Sequence, residues 1–122
     1  MSERISEAEH VVMEVLWSEA PLTAAEVAER VEPARGWSVR TVKTLLSRLL
    51  SKGALLHEED GRRYLYRPAV ARDDFVARES GRLIDRMFGG RVVPLVAHLA
   101  EQNRLTPEDV AEIEALLKGL KP

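Results

Sequence analysis

The chain of 122 residues contains no cysteine, which excludes disulfide frameworks, thiolate metal sites and thiol nucleophiles together. It has no apolar run near the roughly 18 residues needed to cross a bilayer, and its charged start, Met1-Ser2-Glu3-Arg4, leads into no signal-peptide core. A cytoplasmic protein without direct membrane binding is expected. Histidine is scarce: His10, His57 and His98 stand far apart and show neither HxxxH nor HExxH spacing. The glycines form no GxGxxG or phosphate loop, and no local Ser-His-Asp pattern suggests a nucleophile. These absences leave no expected metal, cofactor or enzymatic activity. Aromatics make up only 5% of the chain, and Trp17, Trp37, Tyr64 and Tyr66 are read as core and wing packing rather than as base-stacking platforms.

What remains is 45% hydrophobic and 31% charged, the composition of a folded globular protein. The formal net charge of −2 conceals a segregation along the chain. Residues 1–34 carry two basic and eight acidic side chains, residues 35–67 eight and three, and residues 68–122 eight and nine. One middle block is strongly basic, which is the electrostatic footprint sought in a nucleic-acid-binding segment.

The order of elements gives that block a place. Ser6 with Glu9 reads as a capping box, in which the serine accepts from the N3 amide and the glutamate reaches back. It opens a helix to about Ser18 with Ala8, Val12, Val15 and Leu16 on its apolar stripe. Thr23 with Glu26 repeats the box ahead of a short second helix carrying Val27, Ala28 and Val31. Ser38 caps a third helix reaching about Lys52, with Gly53 at the C-terminal position that favours glycine. Val39, Val42, Leu46, Leu49 and Leu50 are expected to be buried, opposite Arg40, Lys43, Thr44, Ser47 and Ser51. The period then changes to that of strands from Leu55 to Glu59 and from Arg62 to Arg67. Asp60-Gly61 between them is read as a type I′ turn, pairing Glu58 with Arg63 and Leu56 with Leu65 and setting His57 against Tyr64. Three further helices follow: from Ala71 to Gly89-Gly90, over residues 91–101, and from Thr106-Pro107 onward.

Three short helices and a hairpin, with the third helix and the hairpin basic, give a mainly α fold: a winged helix-turn-helix over 1–68 and a helical dimerisation region over 69–122. The third helix would enter a major groove of duplex DNA. Arg40, Thr41, Lys43, Thr44, Ser47 and Arg48 are its candidate contacts, while Arg62 and Arg63 would hold phosphates or a flanking minor groove. Three amphipathic helices in the last 54 residues are too few for a self-sufficient core. A second copy is the expected partner, through Leu83, Met87, Val96, Leu99, Val110, Ile113 and Leu117. Two other readings stand beside this one: a winged helix docking an acidic protein, and a ligand-responsive regulator with a pocket between its helices and the winged helix.

Several segments in this order resemble the penicillinase-repressor group, which includes methicillin-resistance and copper-responsive repressors. They are Ile5-Ser6-Glu7-Ala8-Glu9 through Val15-Leu16-Trp17, then Thr23-Ala24-Ala25-Glu26-Val27, then Thr41 to Leu49, and Phe88-Gly89-Gly90. The resemblance covers nearly the whole chain. It implies a homodimeric repressor on a palindromic operator, upstream of β-lactamase or related stress genes. It also implies a membrane-bound sensor metalloprotease upstream of cleavage at an Asn-Phe bond. The aligned bond here is His98-Leu99, a departure from that pattern. The copper-responsive members use C-terminal cysteines, so the lack of any here excludes that form of sensing.

Overall fold

A computed structural model describes residues 4–120 of the chain. The chain divides into two compact units at Phe75–Val76. The first holds α1 (Glu7–Ser18), α2 (Ala24–Arg30), a single 3₁₀ turn (Pro33–Arg35), α3 (Val39–Ser51), β1 (Leu55–Asp60), β2 (Arg63–Pro68) and the start of α4 (Arg72–Phe88). The second holds the rest of α4, then α5 (Val92–Glu101) and α6 (Pro107–Leu120). The architecture is mainly helical with one two-stranded hairpin. No described helix is long and apolar enough to cross a membrane.

Helix starts follow the expected local chemistry. Ser6 Oγ accepts from the Glu9 amide at 3.1 Å while Glu9 Oε1 accepts from the Ser6 amide at 2.8 Å. Thr23 and Glu26 form the same reciprocal pair. Ser38 Oγ accepts from the Thr41 amide at 3.1 Å. Such caps stabilise a helix start by about 1 kcal/mol each. The end of α3 is fixed by Gly53 at φ 76°. Its amide donates to Leu50 O, and the Ala54 amide to Leu49 O, both at 3.0 Å. This is a Schellman closure, which requires the left-handed backbone that glycine adopts without strain.

The core of the first unit lies where α1, α2 and α3 meet: Val12, Met13 and Leu16 pack with Val27, Val42, Leu46 and Leu49, all essentially inaccessible. Each such side chain contributes on the order of 1.5–3 kcal/mol. The stripe on α3 differs from the expected one. Leu45 is buried with Val42, Leu46 and Leu49, whereas Leu50 is half-buried and Val39 is 40% exposed. The first turn of α3 overhangs the core, so a residue one period before Val42 reaches past it.

The hairpin register also differs. Asp60 pairs with Arg63, Glu59 with Tyr64, Glu58 with Leu65 and Leu56 with Arg67, so the two-residue turn is Gly61-Arg62 rather than Asp60-Gly61. Glu58 therefore does not pair with Arg63, nor Leu56 with Leu65. Gly61 has φ 67° and Arg62 has no positive φ. A type II′ turn requires just that single positive φ, at its first central position, whereas type I′ would have forced Asp60 into the left-handed region as well. Moving the pairing by two leaves every side chain on its face, since the strand period is two. His57 still meets Tyr64, now diagonally, with ring centroids 4.8 Å apart.

A link unseen in the sequence ties the wing to the helices. Leu22, between α1 and α2, forms a bridge with Tyr66: the Leu22 amide donates to Tyr66 O at 3.1 Å and the Tyr66 amide to Leu22 O at 2.8 Å. A second long-range tie neutralises a buried charge. Glu9 is 1% exposed, and Lys52 Nζ ion-pairs with its carboxylate while donating also to Arg4 O. Burial alone would raise the Glu9 pKa. The hydrogen bonds from Lys52 and the Ser6 amide outweigh it and hold the carboxyl below its ordinary value.

Candidate nucleic-acid interface

Because the buried residues of α3 recur at i, i+3, i+4 and i+7, the residues between them are forced outward. Arg40, Thr44 and Ser47 lie opposite the core, Lys43 lies on the flank with Val39, and Thr41 and Arg48 lie on the other flank; all are exposed. The hydroxyls are partly committed. Thr44 Oγ1 donates back to Arg40 O at 3.2 Å, and Thr41 Oγ1 lies 3.2 Å from the capping Ser38 Oγ.

The cations divide into two sets. In the first unit Arg30 is held by Glu19, Lys52 by Glu9 and Arg72 by Glu14. The side chains of Arg40, Lys43, Arg48 and Arg62 make no ion pair or hydrogen bond among the described residues. Arg63 is intermediate: it donates to Asp60 Oδ2 from Nε at 3.2 Å and Nη2 at 3.0 Å, across the turn. Arg67, which the sequence did not single out as a contact, lies 3.9 Å from Glu58 on the hairpin.

The helix and the wing enclose a cleft of about 400 Å³, lined by Thr23, Ala24 and Ala25, by Val39 and Lys43, and by Arg62, Arg63, Tyr64 and Tyr66. It brings Lys43 together with both hairpin arginines. Arg40, Thr44, Ser47, Thr41 and Arg48 are not among its lining residues. Burial, with Tyr64 beside it, pushes the Tyr66 phenol above its ordinary value. Such a concavity suits a polyanionic strand: cations for phosphate on one wall and a helix presenting short polar side chains on the adjoining face. Val39 and Tyr64 were missed by the sequence reading as part of this surface. The trace was available only in part, since Tyr64 neighbours Arg63 on the hairpin but Val39 carries an apolar side chain expected inside.

The aromatics pack on protein. Trp17 Nε1 donates to Val70 O at 2.9 Å, and its ring lies 5.2 Å from Phe75 and 6.0 Å from His10. Trp37 is half-buried with Arg35 over its ring at 5.5 Å.

In the second unit, Leu83, Met87, Val96, Val110 and Leu117 are exposed, while Leu99 and Ile113 are half-buried. His98 and Leu99 stand near the end of α5, where His98 O accepts from the Gln102 amide at 3.0 Å and Leu99 O from the Arg104 amide at 2.9 Å. Among the described residues, no group of His, Asp or Glu side chains is arranged to hold a metal ion.

Comparison with known proteins gives a consistent result. The penicillinase repressor family model matches residues 5–119. The penicillinase repressor of Bacillus licheniformis is 31% identical over 118 residues, spanning 97% of this chain and 92% of the relative. Among solved structures, the DNA-binding domain of the repressor BlaI aligns with a TM-score of 0.53 at 37% identity, covering 61% of this chain and 93% of that one. The Bacillus licheniformis BlaI monomeric form in complex with the blaP half-operator aligns with a TM-score of 0.51 at 36% identity, covering 61% and 90%.

Proposed function

Since the chain belongs to the penicillinase repressor family of non-enzymatic, DNA-binding winged-helix regulators, we propose that it acts in the cytoplasm as a homodimer on a palindromic operator. By likeness to its relatives, the genes it silences are those for β-lactamase or a related stress response. In this reading α3 enters the major groove, with Arg40, Lys43, Thr44 and Ser47 toward base edges and Thr41 and Arg48 toward the flanking backbone. Arg62 and Arg63 hold the phosphates of the strand that occupies the cleft. The observation that carries the reading is the convergence of Lys43, Arg62 and Arg63 on one cleft beside an outward face of unpaired cations.

The second copy is expected to cover the apolar residues Leu83, Met87, Val96, Leu99, Val110, Ile113 and Leu117, and residues 1–68 and 69–122 are the proposed DNA-binding and dimerisation regions. Relief of repression would follow from a membrane sensor protease acting upstream, with His98–Leu99 as the candidate bond. Because both carbonyls flanking that bond accept helix-closing hydrogen bonds, cleavage there requires the end of α5 to open first.

The test is selection of bound duplexes from a random pool by the full chain, followed by titration of the enriched sequence at several salt concentrations. The joint variant Arg40→Ala/Lys43→Ala should lose specific binding, at about 1–3 kcal/mol for each base contact removed. Arg62→Ala should weaken all duplexes alike and flatten the salt slope by about 0.9. No enrichment of any sequence would reject the operator reading in favour of a protein-docking module.

A further inference from the structure

Val39 is the exposed apolar residue of α3, at 40%, while Val42, Leu45, Leu46 and Leu49 are buried and Leu50 is half-buried. The fold makes little demand on its identity. It is the first helical residue after the Ser38 cap, a position that accepts most side chains, and it stands outside the core cluster. Its surroundings are those of the binding surface instead: it lines the cleft with Lys43, one turn further along the same flank, and with Tyr64 and Arg62 of the wing.

The first turn of a groove-binding helix is the part that reaches base edges. Lysine and arginine there select hydrogen-bond acceptors, whereas an aliphatic side chain cannot read N7 or O6 at all. The major-groove feature it can match is the C5-methyl group of thymine. Valine suits this task because branching at Cβ restricts χ1, leaving a rigid apolar knob that loses little freedom on contact. We propose that Val39 is a specificity-determining residue that packs on the methyl group of one thymine in each operator half-site. This rests on the reading of α3 as the groove-binding helix.

The probe is the duplex that the full chain selects from a random pool, with each thymine of one half-site replaced in turn by deoxyuridine, which removes only the methyl group. At one position the replacement should weaken the wild-type chain about 4-fold, the factor corresponding to one buried methyl group. Val39→Ala should bind the unmodified duplex more weakly by a similar or larger factor and lose nothing further with deoxyuridine at that position. Its affinity for unrelated duplexes and its thermal stability should match wild type, which separates lost readout from lost folding. Selected half-sites without thymine, or a deoxyuridine effect that is absent or identical in both proteins at every position, would overturn the assignment. If the selected duplex still depends on Arg40 and Lys43, only the thymine contact falls. If no duplex is selected, the groove reading falls with it.

Discussion

Helices dominate both compact units of this chain, the second more than the first, yet the two treat apolar side chains in opposite ways. Between Glu9 and Leu55 a continuous set of residues is sealed from solvent, including Leu16, Leu46 and Leu49. Between Val76 and Leu120 no described residue is buried, and Leu116, Leu117 and Leu120 are more than half exposed. The first unit has strands, long-range hydrogen bonds and a buried ion pair to close its core. The second has amphipathic helices whose apolar residues are at most half-buried among the described residues. A folded monomer satisfies one unit and leaves the other incomplete, which is the physical reason for proposing that a second copy completes it.

That contrast can be attacked first where burial is deepest. Leu46→Ala removes a fully buried side chain and should cost about 2–5 kcal/mol in chemical denaturation of the winged helix, at any protein concentration. The same change at Leu117 should produce a loss that depends on protein concentration if, as proposed, its partner surface belongs to another chain. Equal, concentration-independent losses at the two sites would erase the distinction.

A smaller effect is expected from Lys52→Met, which leaves the Glu9 carboxylate buried without its cation. We expect a loss of about 2–3 kcal/mol near neutral pH, because an unpaired buried charge is costly but Lys52 itself is partly solvated. The wild-type chain should also show an acid dependence. The folded pKa of Glu9 lies below its unfolded value of 4.5, so its stabilisation is fully present above that value and is lost as pH falls through the folded pKa. Thermal melts of wild type and Glu9→Gln below pH 4.5 should therefore converge. Curves that stay parallel would remove Glu9 from the account of acid sensitivity.

The smallest effect expected is at the junction. Trp17→Phe keeps the aromatic contact with Phe75 but deletes the hydrogen bond to Val70 O, and should destabilise the first unit by about 1 kcal/mol. No change in its melting temperature would mean that this bond does not help hold the segment after the wing against α1.

How much of this was legible in the sequence follows the range of the interactions. The caps at Ser6, Thr23 and Ser38 are contacts across three residues, and each stands where the residue pattern puts it. The α3 stop at Gly53 is equally local. The alternation of the hairpin revealed which side chains share a face but not which residues oppose each other, because Asp60-Gly61 and Gly61-Arg62 both supply a glycine for a tight turn. The Leu22–Tyr66 bridge and the Glu9–Lys52 pair join residues more than forty positions apart and leave no periodic trace. For the binding surface, the basic face of α3 was legible from its spacing. The meeting of Lys43 with Arg62 and Arg63 depends on the angle at which the wing folds back, and the exposure of Val39 on where the core ends.

The most direct test of the account is stoichiometry on DNA. Sedimentation velocity of the full chain with the selected duplex, at concentrations well above the dissociation constant, should give two chains per duplex, with half-sites one or more helical turns apart. One chain per duplex at saturation, on a site without two-fold symmetry, would contradict the claim that the second unit is completed by another copy.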